Sequence, residues 1–257
     1  MSFLKSTVTI CLLVVALIFN SCGVTYKKEA LTYDLEKLIS KECNQDSKAC
    51  IVGRTLYLDM ELEGLTSRDS KIASDTLRKI QLVTNALLRV VLSSNTVIKY
   101  MVATVYSHDK SLVFRVLQNI DDVKKYFYTR ISRSDYESRN LFEIIGPKVA
   151  AEVISDKHDI SDKEFVGRLI IAQINMLSNV NPFLGALISM LQLRYAGVEN
   201  DTLFLVILNE IDQKTINVFE KILKKKVKHY SKKYNILFNK VEIIKDSGDV
   251  VLCVRIV

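Results

Sequence analysis

The sequence predicts an α+β fold in which two strand-helix-strand-strand modules flank a helical insert that contains an apolar helical hairpin. Three observations lead to this prediction. Residues 55–63 alternate apolar and polar side chains, which is the period of a half-buried strand, and a helical pattern and two further strand patterns follow. Residues 202–257 repeat that order of patterns. Between them, residues 169–193 carry no charged side chain but are interrupted by polar residues and a proline.

The N-terminal segment has the composition of an export signal. Lys5 supplies a positive charge, residues 7–19 form an apolar core, and small or polar residues lead into Cys22. The charge-free core of about 14 residues is shorter than the roughly 20 residues that a membrane-spanning helix requires. We therefore expect cleavage before Cys22 rather than a permanent transmembrane anchor.

This segment resembles a bacterial lipoprotein signal, in which a lipobox ends in a small residue and a cysteine that becomes acylated. Ser21 and Cys22 match that pattern, whereas Phe19 stands where leucine is common and Asn20 is larger than usual, as in the relaxed lipoboxes of spirochaetes. The resemblance implies a signal peptide at residues 1–21, acyl chains such as palmitate on Cys22, and a lipoprotein anchored to a membrane of the cell envelope. The alternative is an ordinary secretory signal in which Cys22 is incidental.

The chain after the signal has the composition of a compact domain. Removal of residues 1–21 leaves 236 of the 257 residues, and the sequence is 49% hydrophobic with only two prolines, which excludes a disordered stalk. The formal charge falls from +7 to +6 with the loss of Lys5. For an exported protein this excess favours anionic lipid or an acidic envelope polymer over nucleic acid as a partner. The short polar tether after Cys22 favours the periplasmic side of the membrane over the cell surface.

The five cysteines occupy different settings. Cys11 is lost with the signal, and Cys253 lies in an apolar strand pattern where we expect a small buried side chain. Cys43 and Cys50 flank a polar loop that they could close as a disulfide in an oxidising compartment. Two unpaired thiols are the alternative.

The first module begins after a short helix at residues 33–40. The strand at residues 55–63 has two chemically different faces. Its buried face consists of Leu56, Leu58, Met60 and Leu62, and its exposed face of Asp59, Glu61 and Glu63. A helix from about residue 66 to residue 94 follows, and residues 97–107 and 112–117 then form a hairpin.

The insert at residues 120–197 contains the helical hairpin. Ser161 and Glu164 have the spacing of a capping box, and a second helix begins at Pro182 and is expected to stop at Gly197. The break between the two helices disfavours a membrane span, because it would leave backbone groups unsatisfied in hydrocarbon. A buried hairpin between two sheets is one interpretation. The other is an apolar surface that docks a membrane protein or inserts partway into lipid.

The second module has a strand at residues 202–209, a helix at residues 213–234 capped by Asp212, and a closing hairpin of residues 236–245 and 250–257. Its likeness to the first module suggests a duplication, although no shared residues are evident and coincidence is the alternative. The predicted domains are the signal (1–21), the lipidated N-terminus with tether and short helix (22–50), the first module (51–119), the helical region (120–197) and the second module (198–257).

The helix at residues 213–234 carries the clearest basic feature of the chain. Its lysines surround apolar residues spaced three and four apart, so one face packs and the other is charged. A solvated face is the ordinary interpretation. The functional interpretation is binding to an anionic surface through Lys221, Lys224, Lys225, Lys228 and Lys232.

The sequence predicts no catalytic residue, cofactor or metal site. It has no Gly-rich phosphate loop, nucleophile elbow or paired-histidine zinc helix. His158 lies among Asp156, Asp159 and Asp162, but the spacing does not fit a calcium loop and is typical of a helix start. We therefore expect a non-catalytic binding or assembly protein of the envelope, with a protein partner there and an unknown ligand. The alternative is an envelope hydrolase that acts on a glycan or peptidoglycan through carboxylates not identifiable from the sequence.

Overall fold

The computed structural model describes residues 26–63, 65, 74–177, 186, 188, 191–209 and 212–256. Helices and two mixed sheets form within these ranges, which confirms the predicted α+β class. The predicted signal, Cys22 and the start of the first long helix lie outside the described residues. No helix within the described ranges is both long and apolar enough to cross a membrane.

The described residues contain seven α-helices. They are α1 (Leu31–Cys43), α2 (Ser74–Leu92), α3 (Ile120–Phe127), α4 (Arg133–Glu137), α5 (Pro147–Ser155), α6 (Asp162–Met176) and α7 (Gln213–Tyr234). Two predicted caps are confirmed: Ser161 Oγ accepts a hydrogen bond from Glu164 N at 3.1 Å, and Asp212 Oδ1 accepts one from Thr215 N at 2.6 Å. The bounds of α7 are those predicted from the Asp212 cap and from the apolar residues spaced three and four apart that follow it.

The first sheet has five strands in the order of the chain. They are β1 (Ser47–Val52), β2 (Thr55–Glu61), β3 (Tyr100–Tyr106), β4 (Val113–Asn119) and β5 (Leu141–Ile145). β2 and β3 are parallel, with α2 between them in the chain, and the other neighbours are antiparallel. Gly53, at φ +58°, forms the turn between β1 and β2.

The second sheet has four strands, again in the order of the chain. They are β6 (Arg194–Glu199), β7 (Thr202–Ile207), β8 (Lys240–Lys245) and β9 (Val250–Arg255). Here β7 and β8 are parallel, with α7 between them in the chain, and both outer pairs are antiparallel. Asn200 and Asp201, both with positive φ, form the two-residue turn between β6 and β7.

The two sheets share a topology of hairpin, helix and hairpin around a central parallel pair. Thr55 pairs with the first residue of β3, and Thr202 pairs with the first residue of β8. From these equivalent positions the chain reads Thr-Leu-Tyr-Leu and Thr-Leu-Phe-Leu. This shared pattern becomes evident only when the two strands are aligned by their pairing. The common order, direction and register give the duplication hypothesis its structural support.

Two hydrophobic cores lie on opposite faces of the first sheet. One is formed by α1, α2 and the sheet face that carries Leu56, Leu58 and Met60. The other joins the opposite face, through Tyr57 and Tyr100, to α6, α7 and the inner face of the second sheet. The predicted alternation of the strand at residues 55–63 is present. On its second face Tyr57 and Asp59 are covered, whereas Glu61 and Glu63 are exposed as predicted.

Three strands were not predicted. β1 begins within the segment expected to be a polar loop, and β5 and β6 lie in the region expected to be helical. β5 has no alternating polarity to reveal it, because Phe142 and Ile144 are apolar although they are exposed. The expected helix end at Gly197 was wrong: Gly197 lies in β6, at an irregularity in its pairing with β7.

The apolar hairpin is described only in part. Its first helix, α6, contributes side chains with no exposed area to the core between the sheets, among them Phe165, Leu169 and Ile170. Most of the expected second helix lies outside the described residues, but Ile188 and Leu191 are buried in the same core. These side chains are interior structure, whereas Met176, at the end of α6, is 53% exposed.

Candidate functional site

The loop between α5 and α6 is held against the first sheet by hydrogen bonds to residues at the start of β2. Asp159 Oδ1 accepts a hydrogen bond from Arg54 N at 2.9 Å. The buried Thr55 hydroxyl accepts one from Ile160 N at 3.0 Å, and Tyr57 donates its hydroxyl to the His158 carbonyl at 2.7 Å. These contacts join residues about a hundred positions apart and hold His158 at a fixed place.

His158 bridges two carboxylates. Its Nδ1 lies 2.9 Å from Asp156 Oδ1, and its Nε2 lies 2.9 Å from Glu164 Oε2. Burial lowers the pKa of His158, but the hydrogen bonds to Glu164 and Asp156 outweigh burial, so its pKa is raised from its ordinary value. The arrangement therefore favours the charged imidazolium.

Glu164 continues the contact into a row of alternating charges. Arg168 Nε donates to Glu164 Oε1 at 2.9 Å, Arg168 Nη1 lies 3.5 Å from Glu143 Oε1, and Arg115 Nε donates to Glu143 Oε2 at 2.5 Å. Burial lowers the pKa of Arg168, but Glu143 and Glu164 outweigh it and raise the pKa overall. The row joins α6, β4 and β5, so it ties the insert to the first sheet.

A cleft lies beside this row of charges. Its volume is about 230 Å³, including the part that is open to solvent. Its lining residues are Tyr57, Val102, Arg115, Leu117, Asp156, His158, Ile160 and Arg168. The enclosed part has room for about one water molecule, and the charged groups around it are already paired with one another. A sugar or peptide does not fit there, so the cleft has the properties of a structural polar cluster.

The acids around His158 do not converge on one point. Asp159 binds Arg54 and Thr55, and Asp162 accepts from Lys99 Nζ at 2.6 Å and from the Tyr100 hydroxyl at 2.7 Å. Burial raises the pKa of Asp162, but Lys99 and Tyr100 outweigh it and lower the pKa overall. Among the described residues, no group of three His, Cys, Asp or Glu side chains is placed to hold a metal ion.

The acidic face of β2 is also neutralised by partners. Asp59 Oδ1 lies 2.8 Å from Lys157 Nζ, with only 16% of its side chain exposed, so the expectation of a solvent-facing Asp59 was wrong. Glu61 Oε1 lies 2.5 Å from His108 Nδ1. The hydrogen bond with Glu61 raises the pKa of His108 above its ordinary value. Because Asp59 and Glu61 each hold a cation, they do not form the pair of opposed carboxyl groups that glycan hydrolysis requires.

The cysteines within the described residues are free thiols. Cys43, at the end of α1, packs against the core on one face of the first sheet, whereas Cys50, in β1, packs against the core on the other face. Burial raises the pKa of both thiols. The structure therefore has the unpaired alternative in place of the Cys43–Cys50 disulfide. Cys253 was expected to be buried but is exposed, because it lies on the outer face of the edge strand β9.

The charged face of α7 forms a straight line of lysines, which we call the basic stripe. It consists of Lys214, Lys221, Lys225, Lys228 and Lys232, all exposed. Spacings of four, three and seven residues place them along one side of the helix, over about 27 Å. Phe219, Leu223 and Val227 are buried on the opposite side. The predicted Lys224 lies beside the stripe, 2.7 Å from Glu220.

We compared the chain with protein families, with curated proteins and with solved structures, and found no match. The function is therefore inferred from the geometry and charge of its own residues.

Sequence reasoning found His158 and most of the stripe, but not the residues that extend the polar cluster around His158. Tyr57, Arg115, Glu143 and Arg168 lie on separate elements and meet only in the folded chain. These residues occur singly in their strands and helices and do not form a periodic pattern, so the sequence alone could not identify them as a cluster. The lysines of α7 were found because they follow the helical period.

We expect His158 to make the stability of the protein depend on pH. Its pKa is raised on folding, so its contribution is fully present below the unfolded pKa of about 6.5 and is lost as pH rises through the folded pKa. His158→Gln should therefore lose stability relative to the native chain at pH 5.5 but much less at pH 8. The difference should stay below about 1 kcal/mol, because the side chain is 39% exposed and screened by solvent.

The measurement is urea unfolding of both proteins across this pH range. The control is His229→Gln, because burial and the nearby Lys233 and Lys226 lower the pKa of His229 and give the opposite sign. A difference between His158→Gln and the native chain that grew with rising pH would contradict the assignment.

Proposed function

We propose that the protein is a lipoprotein anchored to a membrane of the bacterial envelope through Cys22, where it has a non-catalytic binding or assembly role. We further propose that the basic stripe is its contact with an anionic lipid or polymer. The observation that carries this proposal is the stripe itself. It places like charges in one exposed line, on a helix whose acidic side chain, Glu220, points away from that line and is paired.

Electrostatics supports an extended anionic surface over a small anion as the ligand. Neighbouring lysines of the stripe are separated by one or two helical turns, so they meet repeated negative charges rather than a single phosphate. Like charges along a helix destabilise it slightly, by a few tenths of a kcal/mol per pair. An anionic surface removes that repulsion and gains about 1 kcal/mol per lysine close to it.

The remaining surface supports binding over catalysis. The His158 cleft is filled by groups that neutralise one another, and the acids of β2 are held by Lys157 and His108. A hydrolase of the envelope needs two carboxyl groups that face a substrate. Asp59 and Glu61 of β2 are instead in ion pairs, so we do not propose this activity.

The stripe is tested by charge removal. In the unacylated Cys22→Ser protein, we expect replacement of Lys221, Lys225, Lys228 and Lys232 by glutamine to weaken binding to phosphatidylglycerol vesicles at least a hundredfold at low salt. Vesicle sedimentation measures the partition coefficient. The matched control removes the same charge from Lys37, Lys41, Lys48 and Lys110, which are exposed elsewhere. Equal losses in both variants would show that net charge, and not the stripe, determines binding.

The anchor is tested separately. Cells that express the full chain and are fed labelled palmitate should incorporate the label into the native protein but not into the Cys22→Ser variant. Detergent phase partitioning gives a second readout, since two or three acyl chains hold a protein stably on a membrane. An unlabelled native chain would remove the lipoprotein proposal.

A further inference from the structure

The chain enters the fold at one end of the first sheet, which we call the tether end. Tyr26 donates its N–H to Ser93 O at 3.3 Å and forms a β-bridge with Ser94, just after α2. β3 begins and β4 ends at this end of the sheet, where Ile120 N donates to Lys99 O at 2.9 Å. The four residues from Cys22 to Tyr26 span at most about 14 Å.

The second sheet places its corresponding end beside the first. Two consecutive residues at the start of α6 make the connection: Asp162 binds Lys99, before β3, and Lys163 binds Asp201, before β7. A third contact joins α7 to α3: the hydroxyl of Tyr234, in the last turn of α7, donates to Asp122 Oδ2 at 2.6 Å. The connection from α7 to β8 therefore also lies at the tether end.

Large apolar side chains are exposed in three connections at the tether end. Val97, between α2 and β3, is 78% exposed; Phe127 and Tyr128, after β4, are 60% and 69% exposed; Leu237, between α7 and β8, is 64% exposed. Exposed aromatic side chains close to basic ones are typical of protein surfaces that enter the headgroup layer of a membrane.

The aromatic pair stands in a basic, acid-free segment. Residues 123–134 contain no Asp or Glu. Of their basic residues, Lys125 and Arg133 form ion pairs with Asp122 and Glu137, and Lys124 and Arg130 are exposed. The guanidinium of Arg130 lies 5.8 Å from the centre of the Tyr128 ring. The segment thus combines apolar area with positive charge, as contact with an anionic bilayer requires.

The backbone holds this turn in an unusual conformation. Thr129 has φ +55°, which β-branched residues rarely adopt, and Arg130 N closes the end of α3 by donating to Lys125 O at 2.8 Å. Phe127 and Tyr128 are therefore presented outward by a fixed turn rather than by a frayed helix end.

We propose that the tether end docks on an anionic lipid bilayer, with Phe127 and Tyr128 in the boundary between headgroups and acyl chains. This inference rests on the proposed lipid anchor, because an acylated Cys22 would hold the tether end within about 14 Å of the membrane. Lys232, the last lysine of the basic stripe, lies in the final turn of α7 at the same end, so one end of the stripe adjoins this surface.

A single tryptophan tests the docking directly, because the chain contains no tryptophan. Phe127→Trp is placed in the acylated protein, which is reconstituted on vesicles of phosphatidylglycerol and phosphatidylcholine. We expect its emission to shift to shorter wavelength and to be quenched by lipids brominated on their acyl chains. The control is Val250→Trp, at a site of similar exposure, 57%, at the opposite end of the second sheet. Its emission should not change.

The outcomes separate the docking from the anchor. Membrane-bound Phe127→Trp protein whose emission neither shifts nor is quenched would overturn the docking and leave the lipoprotein proposal standing. Equal quenching in the Val250→Trp protein would overturn the assignment to the tether end. A native chain that takes up no palmitate would remove the anchor, while the same fluorescence measurement on Phe127→Trp combined with Cys22→Ser would still decide whether the tether end binds lipid.

The charge requirement has its own test. In the Cys22→Ser protein, Lys124→Gln combined with Arg130→Gln should lower the vesicle partition coefficient about 25-fold, which is about fivefold for each charge removed at the surface. Lys41→Gln combined with Lys110→Gln removes the same charge away from the tether end and should leave most of the binding. Unchanged binding of the first variant would overturn the proposed contact.

Discussion

Replacement of Asp122 by alanine is expected to lower the free energy of unfolding by about 3–5 kcal/mol. The side chain of Asp122 is only 3% exposed, and its Oδ1 lies 2.6 Å from Arg139 Nη1. Its second oxygen accepts the hydroxyl of Tyr234 at 2.6 Å. Alanine leaves the guanidinium of Arg139, itself 9% exposed, with its contact to Asp135, 2.7 Å from Nη2, but without the buried carboxylate of Asp122. Removing one partner of a buried ion pair is far more costly than losing a surface ion pair.

The same substitution also weakens the junction of the two halves of the chain. Asp122 belongs to α3 and Tyr234 to α7, and Lys233 binds Asp135 of α4 nearby. Burial raises the pKa of Tyr234, and Asp122 raises it further, so the tyrosine remains a neutral donor to the carboxylate. The loss should therefore appear as a lower urea midpoint for the whole protein rather than as a separate early transition.

Two variants separate this explanation from a general effect of mutation in α3. Asp121→Ala removes the neighbouring carboxylate, which is exposed, and should cost at most about 1 kcal/mol through the helix dipole. Asp122→Leu combined with Arg139→Met removes both charges and should recover much of the stability lost in Asp122→Ala. A loss below about 1 kcal/mol in Asp122→Ala would show that the pair is not buried as the structure has it.

The sequence predicted the elements whose signal is periodic. The alternation at β2 and the capped, lysine-rich α7 are local patterns, and both formed as expected. β5 was missed because its exposed positions are apolar, so its five residues contain no alternation of polarity. The face of β2 that carries Asp59 was assigned to solvent because the loop that covers it follows about a hundred residues later in the chain.

The two proposed contact surfaces also differ in how far the sequence could predict them. The basic stripe is one helix face, and four of its five lysines were named from their spacing. Lys214 was missed, and Lys224, which pairs with Glu220 beside the stripe, was included. The tether end could not be predicted in this way, because Val97, Phe127 and Leu237 are distant in sequence, and only the parallel pairing of β2 with β3 and of β7 with β8 brings their connections to one end. The signal segment was identified from composition, and its cleavage and acylation stay predictions.

Phe165→Ala is expected to cost about 3–5 kcal/mol, as large a loss as the Asp122 substitution but for a different physical reason. Phe165 has no exposed area, and its ring centre lies 5.2 Å from that of Tyr100 in β3 and 5.7 Å from that of Tyr234 in α7. Alanine removes the aromatic contact with both halves at once and leaves a cavity at the centre of their shared core. Part of the cost is lost transfer free energy, and part is the cavity that rigid neighbours cannot fill.

Urea unfolding of two further variants tests this assignment. Phe142→Ala makes the same chemical change at a side chain that is 65% exposed, so it should alter stability by no more than about 0.5 kcal/mol. Phe165→Leu keeps most of the volume and should lose clearly less than Phe165→Ala. Because Phe165 contacts both halves, we expect circular dichroism to report one cooperative transition in each variant. Two separated transitions in Phe165→Ala would show that the halves unfold independently and that the shared core does not unite them.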